Sequence, residues 1–163
     1  MSWSGPLFVF GLFVLLTLAL AAVVSVVVYR RVRARQREAL LAAVRRQFHL
    51  RREWLEARFL TLASSSGRPR GLAWVDCDFS DAVCFARDRA TGNLRSLVGV
   101  TIRFEAIEGG GMENVEAVGN LRAATAVFRY EGREWVTDGR AIFNLNPDET
   151  IRHFRHELEA FAD

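Results

Sequence analysis

The stretch Leu94–Ile107, LRSLVGVTIRFEAI, decides the fold class. Leu94, Val98, Val100, Ile102, Phe104 and Ala106 fall on one side of an extended chain. Arg95, Thr101, Arg103 and Glu105 fall on the other. Successive Cβ atoms leave a strand on opposite sides, so this period of two predicts a strand with one face toward a core. Thr91-Gly92-Asn93 precedes it, and Gly and Asn accept the positive φ of tight turns. Before that turn, Ala82–Arg87 is a short apolar run that suits a hairpin partner. Leu72–Phe79 reads as a separate strand farther upstream. Downstream, Leu121–Tyr130 and Glu134–Leu145 meet at Glu131-Gly132, a connection short enough to impose antiparallel pairing. Trp135, Thr137, Ala141, Phe143 and Leu145 share a face of the last segment. The expectation is an antiparallel sheet of about five strands.

Helical patterns flank this sheet on both sides. Asn146 suits an N-cap, Pro147 the first helical position, and Glu149 the third residue of a capping box. Ile151, Phe154, Leu158 and Phe161 then trace one apolar stripe, which predicts a C-terminal helix packed on the sheet. Upstream, residues 31–63 carry Leu41, Val44, Phe48, Leu55, Phe59 and Leu62 at helical spacing, with Arg45, Arg46, Arg51, Glu53 and Glu56 opposite. Arg52 interrupts the stripe where a coiled-coil seam wants an apolar side chain. The stripe suits packing on the chain's own sheet, a homodimer through residues 38–62, or the membrane surface. Ser64-Ser65-Ser66-Gly67-Arg68-Pro69 ends the helix. A sheet with helices on it is an α+β fold. In element order alone it resembles cystatin-like and NTF2-like folds, and no motif of either is present.

Farthest from the sheet lies Pro6–Tyr29, PLFVFGLFVLLTLALAAVVSVVVY, with no charged residue, followed by Arg30-Arg31-Val32-Arg33-Ala34-Arg35-Gln36-Arg37. As a helix the run is roughly 36 Å long, against about 30 Å of bilayer hydrocarbon. It reads as a single uncleaved transmembrane anchor, because the start Met1–Gly5 lacks the basic residues of a signal peptide. Trp3 and Tyr29 stand at the expected interfaces. Arg flanks only the C-terminal end, which places the N-terminus outside and the rest in the cytoplasm of an inner (cell) membrane. The organisation is then residues 1–5 outside, 6–29 in the membrane, 30–66 a basic juxtamembrane helix, and 67–163 the α+β domain.

The chain has 22 Arg and no Lys, which excludes a Schiff-base or P-loop lysine. Residues 1–70 carry a net +9 and residues 71–163 a net −6. The sign of the second part argues against nucleic acid as a partner. Arg30, Arg31, Arg33, Arg35 and Arg37 suit anionic lipid head groups, each worth about 1 kcal/mol near the surface. Cys77 and Cys84 match no metal or redox spacing. In a cytoplasmic domain they stay thiols; on the outer side, a bridge across a tight strand pair becomes possible.

No cofactor motif and no catalytic residue is readable. Glu149, His153, His156 and Glu157 would share one face of the expected last helix, a weak candidate for a divalent metal. Asp76, Asp78 and Asp81 are close in sequence but lack the Ca²⁺-loop pattern. The glycines of Glu108–Asn120 suggest a phosphate cradle, against which Glu105, Glu108, Glu113 and Glu116 argue. The expected function is a membrane-anchored binding or interaction module. The alternatives are a tethered hydrolase or isomerase with a carboxylate beside Trp74 or Trp135 in a pocket between sheet and helix, and a structural envelope protein.

Overall fold

A computed structural model describes residues 4–66 and 71–161, apart from the side chains of residues 4–9, 11–14, 17, 37 and 66. Trp3, the stop at Gly67–Pro69 and the Arg37 side chain lie outside the described residues. The chain divides into two compact units, Met1–His49 and Leu50–Asp163. The first holds nearly all of α1 (Ser4–Leu50), an unbroken helix across the whole uncharged run. The second begins with α2 (Arg52–Ser66) and holds a six-stranded antiparallel sheet.

The strands are β1 (Leu72–Asp88), β2 (Leu94–Ala106), β3 (Arg122–Glu131), β4 (Glu134–Val136), β5 (Ala141–Phe143) and β6 (Leu158–Ala160). The sheet order is β4-β3-β2-β1-β6, with β5 also on β3. The expected strands 72–79 and 82–87 are one strand. Its register on β2 shifts at Val75 and again between Phe79 and Val83, so bulges absorb the residues between the two expected strands. Cys77 and Cys84 therefore stand along one strand, separated by roughly 20 Å at about 3.3 Å per residue, and both are free thiols. A bridge between them within one chain is geometrically excluded, since it needs Cα atoms within about 7 Å.

Both faces of this sheet are covered. On one, α2 lays Leu55, Phe59 and Ala63 on the sheet, each at 1% exposure or less. Phe59 is the centre: its ring meets Trp74, Phe79 and Phe128 at 6.4, 5.8 and 5.9 Å. Arg52 holds the helix start. Its guanidinium pairs with Glu56 one turn on and donates to the Ser80 and Asp81 carbonyls, which the β1 bulge leaves free of the ladder. At the other end Gly139 lets the helix approach. It has φ +77°, and a Cβ there would lie 2.5 Å from the Ala63 nitrogen.

The opposite face holds Ala86, Leu97 and Val127, closed by Leu158 with Ile151 and Phe154 against them. Here the expected C-terminal helix is corrected. Asn146 and Glu149 form the capping box and α3 starts at Pro147, but it stops at His153, with Phe154 as its C-cap. The next residues find better partners on the open edge of β1. The Arg89 amide donates to the Glu157 carbonyl, the Phe161 amide to the Phe85 carbonyl, and β6 pairs with Ala86–Asp88. Leaving the helix satisfies an exposed sheet edge and buries Leu158. Thr150 Oγ1 donates to Thr125 Oγ1, which donates to the Leu145 carbonyl, so a hydroxyl chain fastens α3 under β3.

Phe59→Ala removes the common neighbour of three rings and is expected to cost about 3–5 kcal/mol of unfolding free energy in denaturant titration. Asp88 is a second fastening. Its carboxylate accepts from the Ala90 and Thr91 amides and from Arg95, and these contacts, the Thr91 amide foremost, hold its carboxyl below 3.8, its ordinary value. A carboxyl that ionises more easily when folded stabilises the fold fully above the unfolded value, and that stability is lost as pH falls through the folded value. Asp88→Asn is expected to destabilise by about 1–3 kcal/mol at pH 7 and to flatten the fall in melting temperature below pH 4.

Candidate functional site

A concavity with a mainly apolar lining sits where the ends of three strands meet the 108–120 loop. Leu72 comes from the start of β1, Phe104 from the end of β2 and Phe143 from β5. Met112, Val115, Ala117 and Val118 come from the loop, and together with Arg122 and Asn144 they enclose about 300 Å³. That is the lower end of the range for small-molecule sites.

The loop is held by its glycines and by two polar ties. Gly71 (φ +82°) crosses Gly110 so closely that a Cβ on Gly71 would lie 2.5 Å from the Gly110 carbonyl oxygen. The Ile107 amide donates to the Gly71 carbonyl and the Gly110 amide to the Ile107 carbonyl, both at 2.8 Å. Arg122 donates to the Ala117 carbonyl at 3.3 Å, fixing the short 3-10 turn Glu116–Gly119 over the cavity. Asn144 adopts φ 60° as the chain leaves β5, with its amide on the Ala123 carbonyl.

The Glu113 carboxyl is held below its ordinary range by backbone amides, its own foremost, with those of Gly109, Gly110 and Gly111 adding to the effect and desolvation opposing it.

Behind the cavity wall, Trp74 meets Phe104 at 5.3 Å and Phe143 at 6.4 Å. Its buried indole N–H has no hydrogen-bond partner among the described residues. Cys77, half-buried, has its thiol pushed up to about 11 by burial and by the neighbouring Asp76, so it is a poor nucleophile near neutral pH.

A second hollow lies between α2 and β4, lined by Trp54, Arg58, Glu134, Trp135, Val136 and Thr137. It brings a carboxylate beside Trp135, as the enzyme alternative expects. Glu134 is 65% exposed and 3.8 Å from Arg51, so it is solvated and paired rather than desolvated. Thr137 donates its hydroxyl to the Val127 carbonyl.

The other sequence candidates do not converge. Glu149 spends its carboxylate on the Asn146 amide at 3.0 Å. His153 ends α3 with its ring against Phe154, and His156 and Glu157 fall in the turn after it. The four therefore share no helix face, a correction that stems from the early end of α3. No group of three potential metal ligands occurs among the described residues. Asp76 faces Arg103 across the sheet at 3.7 Å, and the Asp81 carbonyl serves Arg52. Along α1, Arg30, Arg31, Arg33 and Arg35 are exposed, and Arg33 lies over the Tyr29 ring.

Sequence reading marked the 108–120 loop but missed its cavity. The signal was there: Met112, Val115 and Val118 are apolar at a spacing of three within an otherwise acidic loop. No protein family, no curated protein and no solved structure matches this chain.

Gly110→Ala forces the loop off Gly71. Limited proteolysis is expected to cut within residues 108–120 several-fold faster in the variant, with the sheet's far-UV signal retained.

Proposed function

We propose that the chain is a single-pass membrane protein whose α+β domain is a binding module on the cytoplasmic side, with the cavity under the 108–120 loop as its receptor site for an apolar group. The carrying observation is the distribution of exposed apolar side chains on α1. Leu15, Leu16, Leu18, Leu20, Val23, Val24, Val26, Val27 and Val28 are all exposed and, at 100° per residue, surround the helix. A helix whose described apolar side chains are exposed on every side suits lipid. Ser25 supports the reading by donating its hydroxyl to the Ala21 carbonyl at 2.8 Å, so its own donor is satisfied within the helix. Among the described residues no helix is long and apolar enough to cross a membrane. Nine side chains of the run Pro6–Tyr29 lie outside them, and over its whole length that run has no charge. The Arg residues after Tyr29 favour the cytoplasmic side for the α+β domain.

For the module, the chemistry of the cavity lining is the argument. Its described residues include no carboxylate, imidazole, thiol or hydroxyl. Apolar side chains from three strands and the loop, with Arg122 and Asn144 among them, can hold a ligand and orient a polar end. They offer no nucleophile or general base.

Native mass spectrometry of the full chain released from its membranes is expected to show an apolar adduct, and Val115→Trp, which fills the cavity, is expected to remove it. A bare mass for the unaltered chain contradicts the receptor site. Labelling by a membrane-impermeant maleimide on intact cells, in a Cys77→Ala/Cys84→Ala background, tests the orientation. The Ser2→Cys variant is expected to be labelled and the Glu105→Cys variant to be protected. The opposite pattern reverses the orientation.

A further inference from the structure

The α2 helix is apolar on two opposite sides, and the sheet uses only one. Leu55, Phe59 and Ala63 are spent on the core. Leu55 and Phe59 belong to the stripe that the sequence offers for a dimer through residues 38–62, so that stripe cannot serve a partner from α2. The other side carries Trp54, Ala57 and Thr61 at spacings of three and four. Trp54 is 58% exposed. Thr61 turns its hydroxyl back to the Ala57 carbonyl at 3.0 Å, which satisfies its donor within the helix. Three and four are the spacings of a helix–helix seam.

We infer that this outer stripe pairs with the same stripe of a second copy, as a parallel two-stranded contact. Charge complementarity identifies the occupant. The exposed Glu53 and Arg58 flank the seam on opposite sides, five residues apart. In a parallel twofold pair, a residue on one flank meets the residue five positions later on the other flank of the partner helix. Glu53 of each copy then faces Arg58 of the other, twice per dimer. An antiparallel pair instead brings Arg58 against the Arg51 flank, like against like. Glu134, which lines the same hollow as Arg58, lies 3.8 Å from Arg51.

The seam is short. A stable interface between free proteins buries about 1,200 Å² or more, which two turns of helix do not supply. Two copies anchored in one membrane need less, because the shared bilayer raises their effective concentration. This last step rests on the anchor proposed above; the charge register does not.

Disulfide crosslinking of the full chain in native membranes tests the pairing, in a Cys77→Ala/Cys84→Ala background. Ala57→Cys lies on the seam and is expected to give a covalent dimer under mild oxidant, whereas Glu105→Cys, exposed on β2, is not. Adding Glu53→Arg to Ala57→Cys is expected to lower the dimer yield several-fold, and adding Arg58→Glu as well to restore it, which also shows that the swapped chain is folded. Equal yields from Ala57→Cys and Glu105→Cys overturn the inference, and so does a yield that ignores the single charge swap. Carbonate extraction of the same membranes reads the anchor separately. A chain released by carbonate that still crosslinks at position 57 keeps the pairing and discards the anchor; a retained chain that does not crosslink does the reverse.

Discussion

Phe59 is the side chain on which the globular unit turns. Its ring reaches Trp74 and Phe79 of β1 and Phe128 of β3, two strands away, so one residue spans the width of the central sheet. Dispersion and area burial of this kind are large per residue and carry little directional information. Direction comes from Arg52, whose donors fit the carbonyls of the β1 bulge. Together they fix both the depth and the register of α2. The fixed helix then determines which of its faces stays open to a partner. Gly139, whose missing Cβ makes room for Ala63, belongs to the same contact.

The loop and its cavity depend on that sheet in turn. Leu72, Phe104 and Phe143 stand at the ends of their strands, and the 108–120 loop folds over them. Its three glycines solve a backbone problem. One passes against Gly71, and the run's amides favour the ionised form of the Glu113 carboxyl. An acidic, glycine-rich segment that resembles a phosphate cradle is thus a cover over an apolar hollow.

How much of this was legible in the sequence depends on the range of the forces involved. The 94–107 strand, its hairpin turn, the 131–132 turn and the capping box of α3 are local and appear as expected. The inward face of α2 was legible from its period. The failures are all nonlocal. Ser80 and Asp81 fell between two expected strands because the sequence does not say that Arg52 supplies partners for a bulge. Leu158 and Phe161 kept helical spacing, yet the unpaired edge of β1 drew them into an extended strand. Leu97 was missed as a core residue because its neighbours Arg95, Thr101 and Arg103 made that face look polar; only the return of the C-terminal segment buries it. The cavity depends on three strand ends and a loop meeting, which no pattern along the chain encodes.

Hydrogen exchange of the full chain, read by mass spectrometry, tests the dependence on Phe59 most directly. If α2 and the sheet form one cooperative unit, the amides of residues 55–63 exchange as slowly as those of β2, and Phe59→Ala accelerates both together. If residues 55–63 exchange orders of magnitude faster than β2 in the unaltered chain, α2 is an appendage and the central role of Phe59 is contradicted.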